Sequence, residues 1–142
     1  MVIGLIKVLI FNTKKYDGND ISVTNKDTHF EVKSLINMPY AFADVIGCEY
    51  INIVKRTIGG KQYCIVFDDC GLYNNEPVIS LLDVRNPGKS IFGNIIIAGA
   101  EDDHGELTSL SEYDIDNITS RISCTTRTIQ GKETFSPVIM LD

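Results

Sequence analysis

The groups in this chain that could do chemistry are two adjacent carboxylate pairs, a histidine in an acidic turn, scattered cysteines and one loop rich in anion-friendly donors. The pairs are Asp68-Asp69 and Asp102-Asp103. A hydrolytic pair must converge across a cleft, usually from different elements, whereas adjacent residues at a strand end point apart. Asp is also a favoured turn former, so both pairs read first as turn residues. If all four carboxylates converged they could hold a divalent metal, as a small metal-dependent nuclease or phosphodiesterase requires.

The chain has two histidines, His29 and His104. His104 lies in the turn Asp102-Asp103-His104-Gly105, and His29 alternates onto the same face as Glu31 and Lys33. Metal binding needs several convergent ligands, and both read as solvated side chains. The four cysteines, Cys48, Cys64, Cys70 and Cys124, form no C-x-x-C pair and have no adjacent histidine. That excludes a recognisable zinc site and suggests free thiols in a reducing cytoplasm. Cys70 follows Asp68 and Asp69, whose charge would raise its pKa and blunt it as a nucleophile. No catalytic residue, metal ligand or cofactor is assigned.

Gly59-Gly60-Lys61 and Gly88-Lys89-Ser90 each contain a Gly-Lys step but lack the full phosphate-loop spacing. Both read as turns. The second lies in Arg85-Asn86-Pro87-Gly88-Lys89-Ser90, the densest cluster of anion-friendly donors in the chain. Arg binds phosphate in bidentate fashion, and Asn and Ser add neutral donors. Arg85, Asn86, Lys89 and Ser90 are therefore the candidate ligand-binding residues.

The frame that positions them is a chain of 142 residues with net charge −6, 44% hydrophobic and 23% charged. Such a chain buries roughly 70% of its unfolded surface and needs no metal or disulfide staple. Acids cluster at Asp68-Asp69, Glu101-Asp102-Asp103 and Glu112 to Asp116, while the bases are scattered. Nonspecific nucleic-acid binding needs cationic contacts to phosphates, so this balance argues against it. The apolar start, Val2 to Phe11, is too short for a membrane span and lacks the end of a secretory signal. A cytoplasmic protein without a membrane partner is expected.

Val2–Phe11 reads as a strand buried on both faces. Asp17-Gly18 signals a turn, Ile21–Thr24 a short strand, and Thr28–Leu35 a half-exposed strand by its alternation. Pro39 suits a first helical turn and Gly47 a helix end, which predicts a helix over 39–46. Glu49–Ile58 and Lys61–Phe67 are strands joined by Gly59-Gly60, a two-residue hairpin turn. Asp68–Asn75 is a loop turning at Gly71. Val78–Val84 is a strand or short helix, and Ile91–Ala100 is one buried strand. Ser111 begins a helix, with Asp114 completing a near capping box and Ile115, Ile118 and Ile122 an apolar stripe. The Thr-rich segment from Cys124 to Thr128 and Thr134–Leu141 read as extended, with Gln130-Gly131 as a turn. The fold class is α+β, a largely antiparallel sheet of about six or seven strands with two short helices. Residues 1–123 form one domain, and 124–142 are an extended segment packed on the core or used in assembly.

The central block, about 45–118, resembles the family catalogued as domain of unknown function 3846. The resemblance rests on Val45 to Ile51, on Ile65 to Leu72, on Ile91 to Gly99, and on Gly105-Glu106-Leu107-Thr108-Ser109-Leu110-Ser111. It implies an accessory protein of a phage or mobile element and supplies no catalytic residues. The function expected from it is non-enzymatic: countering host defence by binding a defence protein or sequestering a nucleotide immune signal, with homo-oligomerisation permitted by the C-terminal segment. The rivals are the metal-dependent nuclease or phosphodiesterase and a structural phage component.

Overall fold

A computed structural model describes residues 4–11, 30–69, 79–129 and 132–141, with side chains of 124–129 and 132–137 left aside. The expected Asp17-Gly18 turn, Ile21–Thr24 strand and Gln130-Gly131 turn lie outside the described residues, as do His29, Cys70 and Gly71.

The first sheet has the order β2-β1-β7-β4-β3, from β1 (Leu5–Phe11), β2 (Phe30–Ile36), β3 (Ile51–Ile58), β4 (Lys61–Asp68) and β7 (Ile95–Gly99). All its neighbours are antiparallel. The second sheet has the order β6-β5-β9-β8, from β5 (Ile79–Leu82), β6 (Ile91–Phe92), β8 (Ile122–Ile129) and β9 (Lys132–Met140). Only β5 and β9 run parallel there. Two helices, α1 (Pro39–Ile46) and α2 (Glu112–Thr119), complete an α+β fold.

Local signals explain the best-defined joints. Gly59 and Gly60 take φ of 58° and 80°, the left-handed conformations a two-residue hairpin requires. α1 opens on Pro39, and Gly47 closes it in the left-handed region with its N–H on the Ala43 carbonyl. α2 carries a full capping box between Ser111 and Asp114.

Alternation decides what each face buries. On one face of the first sheet, Ile6, Val8, Ile10, Cys64, Val66, Ile96 and Ala98 pack with Phe42 and Ile46 of α1. On the other, Leu9, Phe11, Tyr63, Ile65, Ile95 and Ile97 pack with Leu81, Ile91 and Ile139 of the second sheet and Ile118 of α2. A sheet covered on both sides needs apolar residues at successive positions, which accounts for the run Ile95-Ile96-Ile97-Ala98.

The described residues form nine strands, more than the six or seven expected. The expected single strand Ile91–Ala100 breaks at Gly93, where φ is 83°, and its two parts join different sheets. The extended C-terminal residues pair with each other as β8 and β9, and β9 continues onto β5. Where the sequence leaves a strand or a short helix open over 78–84, Ile79–Leu82 form the strand β5. Val32 shares a face with buried Leu9 yet is 47% exposed, because β2 lies at the sheet edge.

Candidate functional site

The loop between β5 and β6 is closed by hydrogen bonds between its own backbone and the side chains of Asp83 and Ser90. Asp83 donates its N–H to Ser90 Oγ at 3.0 Å, and Asp83 Oδ1 accepts the Asn86 N–H at 2.9 Å. A single 3-10 turn over Pro87–Lys89 follows, with the Lys89 N–H on the Asn86 carbonyl at 2.8 Å and the Ser90 N–H on that of Pro87 at 3.1 Å. Arg85, Asn86 and Lys89 are exposed on this loop, while Ser90 is half-buried and turned toward Asp83. The loop thus presents three of the four expected residues together and uses the fourth to close its base.

A residue distant in sequence joins them. Arg56, on β3, donates from Nη1 to the Lys55 carbonyl at 2.9 Å and from Nη2 to the Lys89 carbonyl at 3.5 Å. Its Nε is buried and meets no partner among the described residues. The ion pairs formed by described residues use Lys33, Lys55 and Lys61, not Arg56, Arg85 or Lys89. Asp83 is the carboxylate within the loop, and its Oδ1 is engaged by backbone. Arg56 thus brings a guanidinium to the backbone of a loop on which Arg85 and Lys89 are exposed, and these donor types suit an anion with several oxygens. Sequence reading missed Arg56: alternation along β3 places it on the face shared with Val54 and Ile58, and nothing local in the sequence points it at the loop.

The acidic pairs do not come together. β4 runs antiparallel to β7, with Phe67 opposite Ile95 and Tyr63 opposite Gly99. Asp68 and Asp69 therefore lie at one end of the sheet, and Asp102 and Asp103 beyond the other. The strand between them spans roughly 20 Å at about 3.3 Å per residue. Asp102 instead builds its turn, accepting the His104 N–H at 2.8 Å and the Glu106 N–H at 3.0 Å. Those hydrogen bonds, Glu106's first, hold its carboxyl below the ordinary value. Asp69 Oδ1 accepts from Asn52 at 3.4 Å. Among the described residues no three His, Cys, Asp or Glu side chains assemble as a metal cage, and His104 is exposed. Cys64 is buried, which pushes its thiol pKa up.

A second polar cluster ties α2 to the β3–β4 hairpin. Lys61 Nζ lies 2.6 Å from Asp114 Oδ1, and Tyr63 donates its hydroxyl to the same oxygen at 3.0 Å. Asp114 Oδ2 accepts from the Ser111 N–H and hydroxyl at 2.8 and 2.9 Å. Asn117 Nδ2 donates to the Ile58 carbonyl and to Tyr63 Oη, both at 3.0 Å. Burial pushes the Asp114 carboxyl up, but the hydrogen bonds from Lys61, Ser111 and Tyr63 outweigh it and hold the group at about 2. Asp114, Tyr63 and Asn117 spend their polar groups on one another and on Lys61, Ser111 and the Ile58 carbonyl, so the cluster is a clamp. The capping box signalled Asp114 in the sequence; nothing there signalled Lys61.

Residues 20–123 match the family model described as Domain of unknown function (DUF3846). The chain belongs to the DUF3846 family. No curated protein and no solved structure matches it. The DUF3846 match includes Arg56 and the whole Arg85–Ser90 loop. The stretch that follows β7, which carries much of the resemblance, serves as scaffold. Gly99 donates to the Thr108 carbonyl at 2.8 Å, and a Cβ on Gly99 would collide with Thr108. Gly105 turns the chain at φ 76°. Leu107 and Leu110 are buried, and Ser109 Oγ accepts the Lys7 N–H at 3.0 Å before Ser111 caps α2.

Proposed function

We propose that this DUF3846 protein is a binding protein that takes a phosphorylated, nucleotide-class ligand at the Arg85–Ser90 loop. In this reading it acts as an accessory protein of a phage or mobile element and counters host defence by sequestering a nucleotide immune signal. The observation that carries the reading is Arg56: its guanidinium lies against the Lys89 carbonyl, adding a third cation to Arg85 and Lys89. Asn86 supplies a neutral donor beside them. Binding is favoured over metal-dependent hydrolysis because Asp68-Asp69 and Asp102-Asp103 stand at opposite ends of the sheet.

A second reading, direct inhibition of a host defence protein, is favoured by the net charge of −6. An acidic surface suits a basic cleft on another protein.

The test is to purify the protein from cells making cyclic nucleotide signals, denature it, and analyse the released small molecules by mass spectrometry. The ligand reading expects an intact nucleotide released by the wild type and little by Arg85→Ala/Lys89→Ala. A blank from the wild type contradicts it and turns attention to protein partners.

A further inference from the structure

A sheet edge is a row of unpaired N–H and C=O groups, and an open edge accepts another strand. The edges of the first sheet are β2 and β3. β3 is partly blunted by its own side chains: Asn52 Oδ1 accepts the Ile53 N–H, and Arg56 donates to the Lys55 carbonyl, both at 2.9 Å.

Among the described residues β2 carries no such protection. Asn37 donates to the Gly4 carbonyl at 3.1 Å, one step beyond the Leu5–Ile36 pair of the ladder. Bonded and non-bonded pairs alternate in an antiparallel ladder. Residues 31, 33 and 35 therefore bond to β1, and Phe30, Val32, Ser34 and Ile36 turn their backbone groups outward. Lys7 agrees with this phase: its N–H and C=O go to Ser109 and Leu110, on the side of β1 away from β2. The Ile36 carbonyl is taken by the Met38 N–H at 2.8 Å. The outward groups of Phe30, Val32 and Ser34 meet no partner among the described residues.

We infer that β2 is a dimerisation edge, joining two copies of this chain antiparallel about a two-fold axis at Val32. The charge order of the strand selects that axis. Centred on Val32, the pairing sets Glu31 opposite Lys33 of the partner subunit, twice by symmetry, and Phe30 opposite Ser34 of the partner subunit. Moving the centre one residue back would oppose glutamate to glutamate; one residue forward would oppose lysine to lysine. Like charges directly opposite destabilise a sheet, and unlike charges stabilise it. In the Val32 register the charged pairs fall at the non-bonded positions, where side chains stand closest. Within one chain Glu31 and Lys33 make only a 3.7 Å contact with both side chains about half exposed. The 47%-exposed Val32 would pack on Val32 of the partner subunit. Such an isologous contact closes at two copies and merges the two five-stranded sheets into one.

Light scattering of the full chain through a dilution series tests this. The single chain weighs 15.8 kDa, and the wild type is expected at twice that. Val32→Pro removes an outward N–H without breaking a bond to β1, which an edge strand tolerates, so it is expected folded and at the single-chain mass. Glu31→Lys is expected to halve the mass. Adding Lys33→Glu to it is expected to restore the dimer, because the reversed order is again self-complementary. A wild type at single-chain mass throughout, or a dimer that survives Val32→Pro, overturns the inference. A folded double variant that stays at single-chain mass overturns the Val32 register.

Discussion

Replacing Asp114 by asparagine isolates what one buried carboxylate contributes. The group ordinarily titrates near 3.8 and is held at about 2 in the fold. At ~1.4 kcal/mol for each pH unit, that difference corresponds to roughly 2 kcal/mol of stability at neutral pH. The sign follows from the depressed value. The contribution is fully present above the unfolded pKa, and it is lost as pH falls from about 4 toward 2. Asp114→Asn keeps a single acceptor oxygen, enough for either Tyr63 or Ser111 but not both, and removes the charge that Lys61 faces at 2.6 Å. Urea unfolding of both proteins across that acid range reads the effect directly. Other carboxylates titrate in both proteins, so the difference between the curves belongs to Asp114. The variant should be weaker by roughly 2 kcal/mol near pH 6, with the gap closing toward pH 2. A gap that stays constant through the acid range would refute the charged clamp and leave only lost hydrogen bonding and packing.

The same clamp has an alkaline limb. The hydrogen bond to Asp114 is the main cause that raises Lys61, so its contribution persists below the ordinary lysine value and fades as pH rises through the higher one; an unfolding titration of Lys61→Met should lack that limb. Gly59→Ala forces a left-handed alanine into Asn117, and should lower stability by roughly 2 kcal/mol. The part due to the Asn117 clash should be recovered in the background Asn117→Ala, read as a double-mutant cycle by urea unfolding, while the left-handed strain remains. Ser111→Ala removes the helix cap and should cost about 1 kcal/mol, with threonine retaining most of the stability by the same assay. Arg56→Met should weaken nucleotide binding roughly tenfold in calorimetry, as expected for loss of a charged donor.

Local structure was legible wherever neighbouring residues decide it. Gly59-Gly60 fixed a hairpin, Pro39 with Gly47 bounded α1, and Ser111 with Asp114 opened α2, because turn and cap chemistry act over a few residues. Partition into sheets was not legible. Alternation says which residues share a face but not what covers that face, so Ile91 to Ala100 read as one strand until Gly93 divided it between sheets. For the same reason the alternation of Thr28–Leu35 reads as a half-exposed strand without revealing that Val32, on its apolar face, lies at a sheet edge and stays exposed. At the candidate site, composition found Arg85, Asn86, Lys89 and Ser90 because they are contiguous. Arg56 reaches Lys89 only through the folded sheets, as Lys61 reaches Asp114. Long-range polar contacts of this kind carry no local periodicity to announce them.

The central claim is that the Arg56–Arg85–Lys89 loop holds a phosphorylated ligand. It is tested most directly by a thermal-shift screen against cyclic di- and trinucleotides, ADP-ribose derivatives and divalent metals. A ligand that binds the native state raises its melting temperature. The account predicts a rise of several degrees with one nucleotide class, recovery of that nucleotide unaltered, and loss of the shift in Arg85→Ala/Lys89→Ala. No shift with any nucleotide, or a shift that survives in that double variant, would contradict it.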